Sequence, residues 1–343
     1  MSTRQGALVI SLDFELHWGV RDQTPLDGSY RQNLLGKWEA VPRMLALFEE
    51  FDIAATGATV GFLFAKSKQE LEEFSPSIRP IYKDPALYPY DEPIGESEMY
   101  DRLHFAPSLI EAIRRTPRQE LACYTFSHYY CLEPGQNRET FEADLNSALA
   151  IAKKNGVRLR SIVFPRNQHN PDYDPLLVDA GITCYRGSQQ RQAYRATKVA
   201  EETRLRRKLR SAAGLLDYYV HLSGTHTVSW EAIQQGCGRL CNIPGSFFMN
   251  PYSPRGKRFE RLRLQRLVQS IRHAAVSGEV FHIWWHPHNF GLHTDQNIAF
   301  LRRLLEAFCR YRDSHGMRSM SMAEVAAVVR DDHTQTFGFS EVF

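Results

Sequence analysis

Residues 280–290, VFHIWWHPHNF, decide the fold and contain much of its chemistry. The strand-type run Val280–Trp285 ends in His-Pro, and a proline stops a strand because it has no N–H for the ladder. Residues 7–15, ALVISLDFE, have the same form, an apolar run that stops at acidic residues. Polar residues directly after apolar runs are typical of parallel α/β folds, where reactive groups cluster at the carboxyl ends of strands.

Similar strand-type runs recur along the chain and alternate with helical patterns. They cover residues 7–12, 53–60, 121–126, 161–164, 181–185, 218–222, 280–285 and 317–320. Spacings of i, i+3, i+4 and i+7 predict helices around 41–51 and 298–308, and Ser321 with Glu324 forms a capping box for a last helix. This repetition predicts an α/β fold with a mostly parallel sheet, open or closed into a barrel.

The chain has 343 residues, long for one domain, yet an α/β barrel uses roughly 200 to more than 400 residues as one unit. We therefore predict a single domain over residues 1–343. Two stretches interrupt the alternation of strands and helices and are expected to be insertions. Residues 75–107, rich in Pro and Tyr, are expected to form a lid-like loop, and residues 186–250 an inserted basic segment. Residues 186–210 contain nine Lys/Arg and two Glu. A solvated helix face and a docking site for an anionic ligand or membrane surface both remain open.

Composition narrows the function classes. Apolar residues make up 43% and charged residues 24%, which excludes wholesale disorder. The net charge of +3 does not favour nucleic acid as a partner. The N-terminal apolar stretch is too short for a signal peptide or a membrane span, so we expect a cytoplasmic protein without transmembrane segments. The six cysteines form no CxxC motif, so we expect reduced thiols, with Cys237 and Cys241 packed against each other. The sequence does not indicate an oligomeric state.

Four groups of polar residues follow predicted strands and are expected to converge at one rim. They are Asp13 and Glu15, Ser127 and His128, Arg166 and Asn167, and His286 and His288. The two acids share one face of an extended chain, where like charges repel unless a cation or an arginine neutralises them. Arg166 has two interpretations, a surface ion pair or a bidentate bond that fixes a rim carboxylate.

The histidines allow structural and functional interpretations. His128 is either a hydrogen-bonded structural residue or a metal ligand, since imidazole binds zinc well. His282, His286 and His288 point one way if the strand continues. His282 lies early enough to belong to the core, whereas one of the other two is expected to be a general acid.

The four motifs together resemble those of a known family. SLDFELHW (11–18), ELACYTFSHYYC (120–131), IVFPRNQ (162–168) and WWHPHNF (284–290) are similar, in that order, to the motif series of the polysaccharide deacetylases, the NodB-homology family or carbohydrate esterase family 4. The resemblance spans about residues 7–325. It implies a distorted (β/α) barrel of about seven strands and metal-dependent hydrolysis of N-acetyl or O-acetyl groups on sugars.

Roles can be transferred from the resemblance to matching positions. It implies that Asp13 is the general base, that Glu15 and His128 bind the metal, and that His286 is the acid that protonates the departing amine. Arg166 resembles the arginine that orients the base, although it follows the proline instead of preceding it. The implied cofactor is a divalent metal, zinc first, with cobalt, manganese or nickel as alternatives.

The sequence departs from the family at Tyr124, which occupies the position of the first histidine of the second motif. The pKa of a tyrosine hydroxyl is about 10, so the residue is a poor zinc ligand unless the ion deprotonates it. Three explanations are open: Tyr124 binds as a phenolate, His17 substitutes because it alternates with the two acids, or the ion is held weakly or not at all. Trp18, Asn167 and His288 complete the candidate cleft residues.

We therefore expect a carbohydrate deacetylase, a hydrolase of non-peptide C–N bonds that acts on an acetylated amino sugar in glycan biosynthesis. A nucleotide-linked or lipid-linked sugar would suit the basic stretch Arg204–Arg210, whose charge matches a pyrophosphate. The alternative is a catalytically degenerate relative that binds a glycan or scaffolds a biosynthetic complex.

Overall fold

The computed structural model describes residues 4–187 and 224–337, and within them one sheet whose named strand pairs are all parallel. Its strands are Ala7–Phe14 (β1), Ala55–Thr59 (β2), Gln119–Cys123 (β3), Ser161–Val163 (β4), Cys184–Arg186 (β5), Cys241–Asn242 (β6), Phe247–Phe248 (β7), Val280–Trp285 (β8) and Arg318–Met320 (β9). Their order is β6-β5-β4-β3-β2-β1-β8-β7, and β9 also pairs with β1.

Helices follow most of the strands and cover the sheet, as the alternating sequence pattern predicts. In the described residues they are Arg31–Glu50 (α1), Lys68–Phe74 (α2), Pro107–Arg115 (α3), Arg138–Lys154 (α4), Asp174–Asp179 (α5), Trp230–Gln235 (α6), Glu260–Ser277 (α7), Thr294–His315 (α8) and Met322–Phe337 (α9). Helix α8 ends at Gly316, which adopts a left-handed conformation, φ 66°. The predicted capping box of α9 is also present, since Ser321 N–H donates to Glu324 at 2.7 Å and Glu324 N–H donates to Ser321 Oγ at 3.2 Å.

Strand β1 is the centre of the sheet, and every one of its residues is buried. Residues 7–12 pair with β8 along one side. On the other side, residues 7–9 pair with β9 and residues 11–14 pair with β2. Every residue of the strand therefore has a neighbour on at least one side, and most have one on both, which explains why the strand is apolar except at Ser11 and Asp13.

A single extended stretch, residues 241–248, joins the two ends of the sheet. On one side, the amides of Cys241, Ile243 and Gly245 donate to the carbonyls of Thr183, Tyr185 and Gly187, each at 2.9 Å. On the other side, Ser246 N–H donates to His282 O at 2.7 Å and Met249 N–H donates to Trp284 O at 2.8 Å. Counting this stretch as one strand, seven strands surround the interior and β9 is wedged beside β1. The predicted distorted (β/α) barrel is confirmed.

Helix α1 packs backbone to backbone against the turn after β8, a short 3-10 helix over Pro287–Phe290. A Cβ atom on Gly36 would overlap the carbonyl of Gly291, and a Cβ atom on Gly291 would overlap the carbonyl of Asn33. Only glycine allows so close an approach. This contact brings the middle of α1 to the rim where β1 and β8 end.

The two predicted insertions have different outcomes. Segment 75–107 contains a 3-10 helix, Pro85–Leu87, and otherwise no helix or strand until α3 begins at Pro107. Most of the basic segment, including Arg204–Arg210, and the strand predicted at 218–222 lie outside the described residues. The predicted bounds of the inserted basic segment, 186–250, were wrong at both ends. Arg186 belongs to β5, and residues 241–248 close the barrel.

The cysteines are corrected in one respect. Cys237 and Cys241 are joined by a disulfide, so the expectation that they only pack as thiols was wrong. Cys123, Cys131, Cys184 and Cys309 are free. Within the described chain, every helix falls short of the length or hydrophobicity that crossing a bilayer requires.

Candidate active site

The centre of the site is the ion pair between Asp13 at the end of β1 and Arg186 at the end of β5. Arg186 donates from Nη1 to Asp13 Oδ1 at 2.6 Å and from Nη2 to Oδ2 at 2.7 Å, and both side chains are 1% exposed. Nη1 also donates to Ser11 Oγ at 3.0 Å, and the guanidinium lies 4.1 Å from the ring centroid of Trp284. This bidentate geometry fixes the orientation of the carboxylate.

The prediction that Arg166 orients Asp13 was therefore wrong. Arg166 follows Pro165 in a 3-10 helix and adopts a left-handed conformation, φ 53° and ψ 21°. Its guanidinium pairs with Asp22 and with Glu133 at 3.6 Å, and it is 36% exposed. Because of this turn, Arg166 forms a surface ion pair, which was the first of its two interpretations from the sequence. Its neighbour Asn167 does reach the site and accepts from Arg186 Nη2 at 3.4 Å.

Glu15 lies between two imidazoles. His128 Nε2 is 3.3 Å from Glu15 Oε2, and His286 Nε2 is 3.5 Å from Glu15 Oε1 and 3.7 Å from Asp13 Oδ2. Burial raises the pKa of Glu15 to about 7, with His286 opposing the rise and Asp13 adding to it. The structure thus brings Glu15, His128 and His286 together with Asp13, as the rim argument expected.

His128 is held in place by a buried carboxylate beneath it. Asp144 of α4 accepts from the amides of Phe126 at 2.7 Å and Ser127 at 3.1 Å, and from the Ser127 hydroxyl. These bonds fix the turn in which His128 has φ 58°. Burial lowers the pKa of His128 well below its usual value, so the ring is neutral. Its Nδ1 has no hydrogen-bond partner within residues 4–187 and 224–337.

The three histidines of residues 280–290 have different environments, and His282 lies in the core as expected. His282 belongs to the core, where its Nε2 lies 2.8 Å from Ser11 Oγ, and burial together with Arg186 lowers its pKa to about 3. His286 is 25% exposed and stacks on buried His288, with ring centroids 5.2 Å apart. Donor atoms of Glu15, His286 and His288 all lie within 4.8 Å of one another.

Tyr124 contacts the same carboxylates from β3. Its hydroxyl donates to Asp13 Oδ2 at 3.4 Å. Burial, with Asp13 and Glu15 adding to it, raises the pKa of Tyr124 well above its usual value. In this environment the phenol is a neutral hydrogen-bond donor.

His17 and Trp18 do not join the Glu15 and His128 pair. Strand β1 ends at Phe14, and Leu16 has φ 53°, so the alternation that would have put His17 beside Glu15 is broken. His17 Nδ1 instead lies 3.2 Å from His104 Nε2. The Trp18 indole, 1% exposed, donates to the carbonyl of His104 at 2.9 Å. The explanation in which His17 substitutes as a ligand was wrong.

Two cations of the site were missed from the sequence. Arg186 directly follows the apolar run 181–185, as the other rim residues follow theirs, but it was assigned to the basic segment. Lys37 of α1 is 1% exposed, and its ammonium lies 4.0 Å from the ring centroid of Phe14. Burial lowers the pKa of Lys37 well below its usual value, and Glu15 opposes the change. No motif distinguishes Lys37 from a solvated helix residue.

These donors are chemically suited to a divalent cation. Glu15, His286 and His288 form a group of one carboxylate and two imidazoles, and His128 Nε2 lies 3.3 Å from the same carboxylate. Carboxylate and imidazole are ligand types that zinc prefers. A cation bound by Glu15 and by Nε2 of His128 would favour the ionised form of Glu15.

Comparison with known proteins supports the architecture. No protein-family model matches the chain, and no curated protein matches it in sequence. Solved structures do match: a protein described as a polysaccharide deacetylase from Mycobacterium smegmatis has a TM-score of 0.61 at 15% identity, covering 97% of this chain and 93% of its own. A second such protein, from Pseudomonas aeruginosa PAO1, has a TM-score of 0.54 at 13% identity over 95% of this chain and 91% of its own. The PuuE allantoinase has a TM-score of 0.52 at 14% identity over 95% and 90%. These similarities show a shared fold.

Proposed function

We propose that this chain, which has the fold of the polysaccharide deacetylases, is a metal-dependent hydrolase that removes an N-acetyl or O-acetyl group from an amino sugar or a sugar conjugate. The observation that carries the proposal is the position of Glu15, between the Nε2 atoms of His128 at 3.3 Å and His286 at 3.5 Å and beside Asp13. A base, metal ligands and an acid then occupy one rim.

In this proposal Glu15 and His128 hold a divalent cation, zinc in the first place, with cobalt, manganese or nickel as alternatives. When bound, such an ion polarises the acetyl carbonyl and lowers the pKa of water from about 15.7 toward about 7. The neutral ring of His128 suits this role because a metal ligand must offer a lone pair.

Asp13 takes the proton of the attacking water while Arg186 holds its two oxygens in place. The water oxygen bonds to the acetyl carbon, and the bond from that carbon to the sugar nitrogen breaks. An amide anion cannot leave, so His286 donates a proton to the nitrogen. Among the three site histidines His286 is the one with substantial exposure, 25%, which an acid that meets substrate requires. The products are acetate and a free amino sugar.

The surroundings of His286 are suited to a sugar ring. Phe248 and Trp284, both partly exposed, have ring centroids 5.5 Å and 5.9 Å from that of His286. Aromatic walls with a few polar groups are typical of small-molecule sites. We propose a nucleotide-linked or lipid-linked acetamido sugar of glycan assembly as the substrate class, with Arg204–Arg210 as the candidate contact for its phosphates.

One observation favours a second candidate, a non-hydrolytic relative that binds glycans. Tyr124 occupies the position of an expected metal-binding histidine and donates its hydroxyl to the proposed base, Asp13, at 3.4 Å. A protein with this substitution would retain the cleft but bind metal weakly.

The test is release of free acetate from nucleotide-linked acetamido sugars in the presence of zinc, cobalt or manganese. We expect release by the wild type and a loss of at least about 100-fold in Asp13→Asn, the usual scale for removing a general base. His169→Gln is the matched control, since His169 pairs with Asp174 at 2.7 Å and contacts none of the site carboxylates. If no acetate is released with any of the metals, and Asp13→Asn and the wild type give the same acetate signal, the hydrolase is excluded. The glycan-binding protein then remains as the candidate function.

A further inference from the structure

Three donor atoms from two distant parts of the chain converge behind the turn that follows β1. His17 comes from the 3-10 helix Leu16–Gly19, and Glu92 and His104 come from segment 75–107. The two histidines are 2% and 1% exposed, and Glu92 is 17% exposed. We propose that His17, Glu92 and His104 form a second divalent-metal site, of the zinc type, which ties segment 75–107 to the turn carrying Glu15.

The distances match one face of a zinc coordination tetrahedron. His17 Nδ1 lies 3.2 Å from His104 Nε2 and 3.4 Å from Glu92 Oε1, and His104 Nε2 lies 3.7 Å from Glu92 Oε1. Ligands at zinc distances of about 2.0–2.1 Å in tetrahedral geometry stand about 3.3 Å from one another. Two imidazoles and one carboxylate form a common zinc ligand set, with the fourth position left to water.

The hydrogen bonds on the far sides of the rings direct lone pairs toward this centre. His17 Nε2 lies 3.1 Å from the carbonyl of Thr24, which only accepts, so Nε2 carries the proton and Nδ1 is the free acceptor. His104 Nδ1 lies 2.8 Å from Asp101 Oδ2, so Nδ1 carries a proton, and in the neutral ring Nε2 is the free acceptor. With both rings neutral, two acceptor nitrogens and a carboxylate oxygen face each other, an arrangement that repels unless a metal ion or an additional proton lies between them.

Asp101 completes the arrangement expected around a metal-binding histidine. Its Oδ2 also accepts from the amide of Gly95 at 2.9 Å, and its Oδ1 accepts from the amides of Leu103 at 3.0 Å and His104 at 3.2 Å. A carboxylate fixed in this way orients the ring that it contacts, as carboxylate–histidine–zinc triads do. The carbonyl of Thr24 serves the same purpose for His17.

The consequence of such an ion would be structural. Segment 75–107 is long and contains almost no regular secondary structure. Its backbone contact with the turn after β1 is the bond from His17 N–H to Leu103 O at 3.2 Å. An ion shared by His17, Glu92 and His104 would fix this segment beside the turn from which Glu15 projects. The site shares no ligand with the Glu15 and His128 pair, and its existence does not depend on the proposed hydrolysis.

The experiment counts zinc in the full-length protein after stripping with chelator, reloading with zinc and gel filtration. We expect Glu92→Gln to retain one equivalent of zinc per chain less than the wild type, because the amide keeps a hydrogen-bond acceptor but removes the charged ligand. His104→Gln should lose the same equivalent. His169→Gln, which alters a histidine paired with Asp174 outside the site, should bind as much zinc as the wild type.

A second measurement keeps the test independent of the first metal site and of folding defects. Adding zinc to the wild type should slow hydrogen exchange in residues 75–107, and adding it to Glu92→Gln should not. The double variant Glu15→Gln, His128→Gln should still show both the zinc equivalent and the slowed exchange. Equal zinc content in wild type and Glu92→Gln, or exchange in 75–107 that does not respond to zinc, would overturn the proposal in favour of a proton shared between the two histidines.

Discussion

Arg186 of β5 holds both carboxylate oxygens of Asp13 of β1, at 2.6 Å and 2.7 Å, although three strands lie between β5 and β1 in the sheet order. The contact is possible only because the sheet curls back on itself. The ion pair therefore connects the closure of the barrel to the chemistry at its rim, and stability and activity should respond together when it is broken.

Arg186→Gln should be among the most damaging single substitutions. It leaves the carboxylate of Asp13, 1% exposed, without its bidentate partner, and breaking a buried pair typically costs about 3–5 kcal/mol. The measurement is the free energy of unfolding in urea. Arg166→Gln is the matched control, because exposed ion pairs such as those of Arg166 contribute about 0–1 kcal/mol. Equal costs for the two variants would contradict the assignment of Arg186 as the partner of Asp13.

Gly36→Ala should destabilise the protein although it lies inside α1. In an ordinary helix interior this change gains about 1 kcal/mol. Here the added methyl would overlap the carbonyl of Gly291, and we expect a loss of about 1–3 kcal/mol, with reduced activity because the turn after His286 moves. Thermal unfolding provides the measurement. Gly238→Ala, which has no atom within 4 Å of the new Cβ, should stay within about 0.5 kcal/mol of wild type.

Asp144 should make stability fall as pH rises through the weakly acidic range. Burial raises its pKa from 3.8 to about 6, so between these values the folded state binds more protons than the unfolded state. The contribution of this group then decreases by about 2 kcal/mol between pH 4 and pH 7. Asp144→Asn lacks this dependence, so its deficit relative to wild type should be largest at pH 4 and smaller at pH 7 in urea unfolding.

Ser127→Ala tests the sign of that effect. The Ser127 hydroxyl donates to Asp144 and favours its ionised form, so its removal should raise the pKa of Asp144 further and extend the decline in stability to higher pH. A decline that moves to lower pH, or a difference between wild type and Asp144→Asn that is independent of pH, would show that the carboxyl does not titrate in this range.

Tyr124→His should raise zinc affinity at the rim by about tenfold or more, since it adds an imidazole beside Glu15 and His128. Isothermal titration with zinc is the measurement. Tyr124→Phe keeps the ring and removes only the hydroxyl, and it should change affinity by no more than a few-fold. A loss of affinity in both variants would show that the phenol is itself a ligand.

The sequence predicts well what depends on local periodicity. The run 280–285 coincides with β8, and the polar residues after β1 and β8 do meet, because the carboxyl ends of parallel strands share an edge. The two-residue strands β6 and β7 carry too little pattern to be recognised. They form because residues 241–248 lie between β5 and β8 in the tertiary structure and pair with both.

Assignments of individual partners were less predictable. Arg166 and Arg186 both follow strands, and the choice between them depends on one left-handed residue and on the curl of the sheet. His17 could be placed only by knowing that β1 ends at Phe14, and Lys37 only by the contact between α1 and Gly291. Such features depend on backbone geometry that a residue pattern does not encode.

The enclosed position of β1 affects how this chain can be made. One side of β1 is completed by β8, and part of the other by β9, and both strands follow β1 by more than 260 residues in the sequence. While a ribosome is still producing residues before 280, β1 has only β2 to pair with, and its apolar edges stay uncovered. Contacts so distant in sequence slow folding and expose nascent chains to aggregation. The strand that supplies the proposed base thus gains its remaining neighbours only after residues 280–285 and 318–320 have been made.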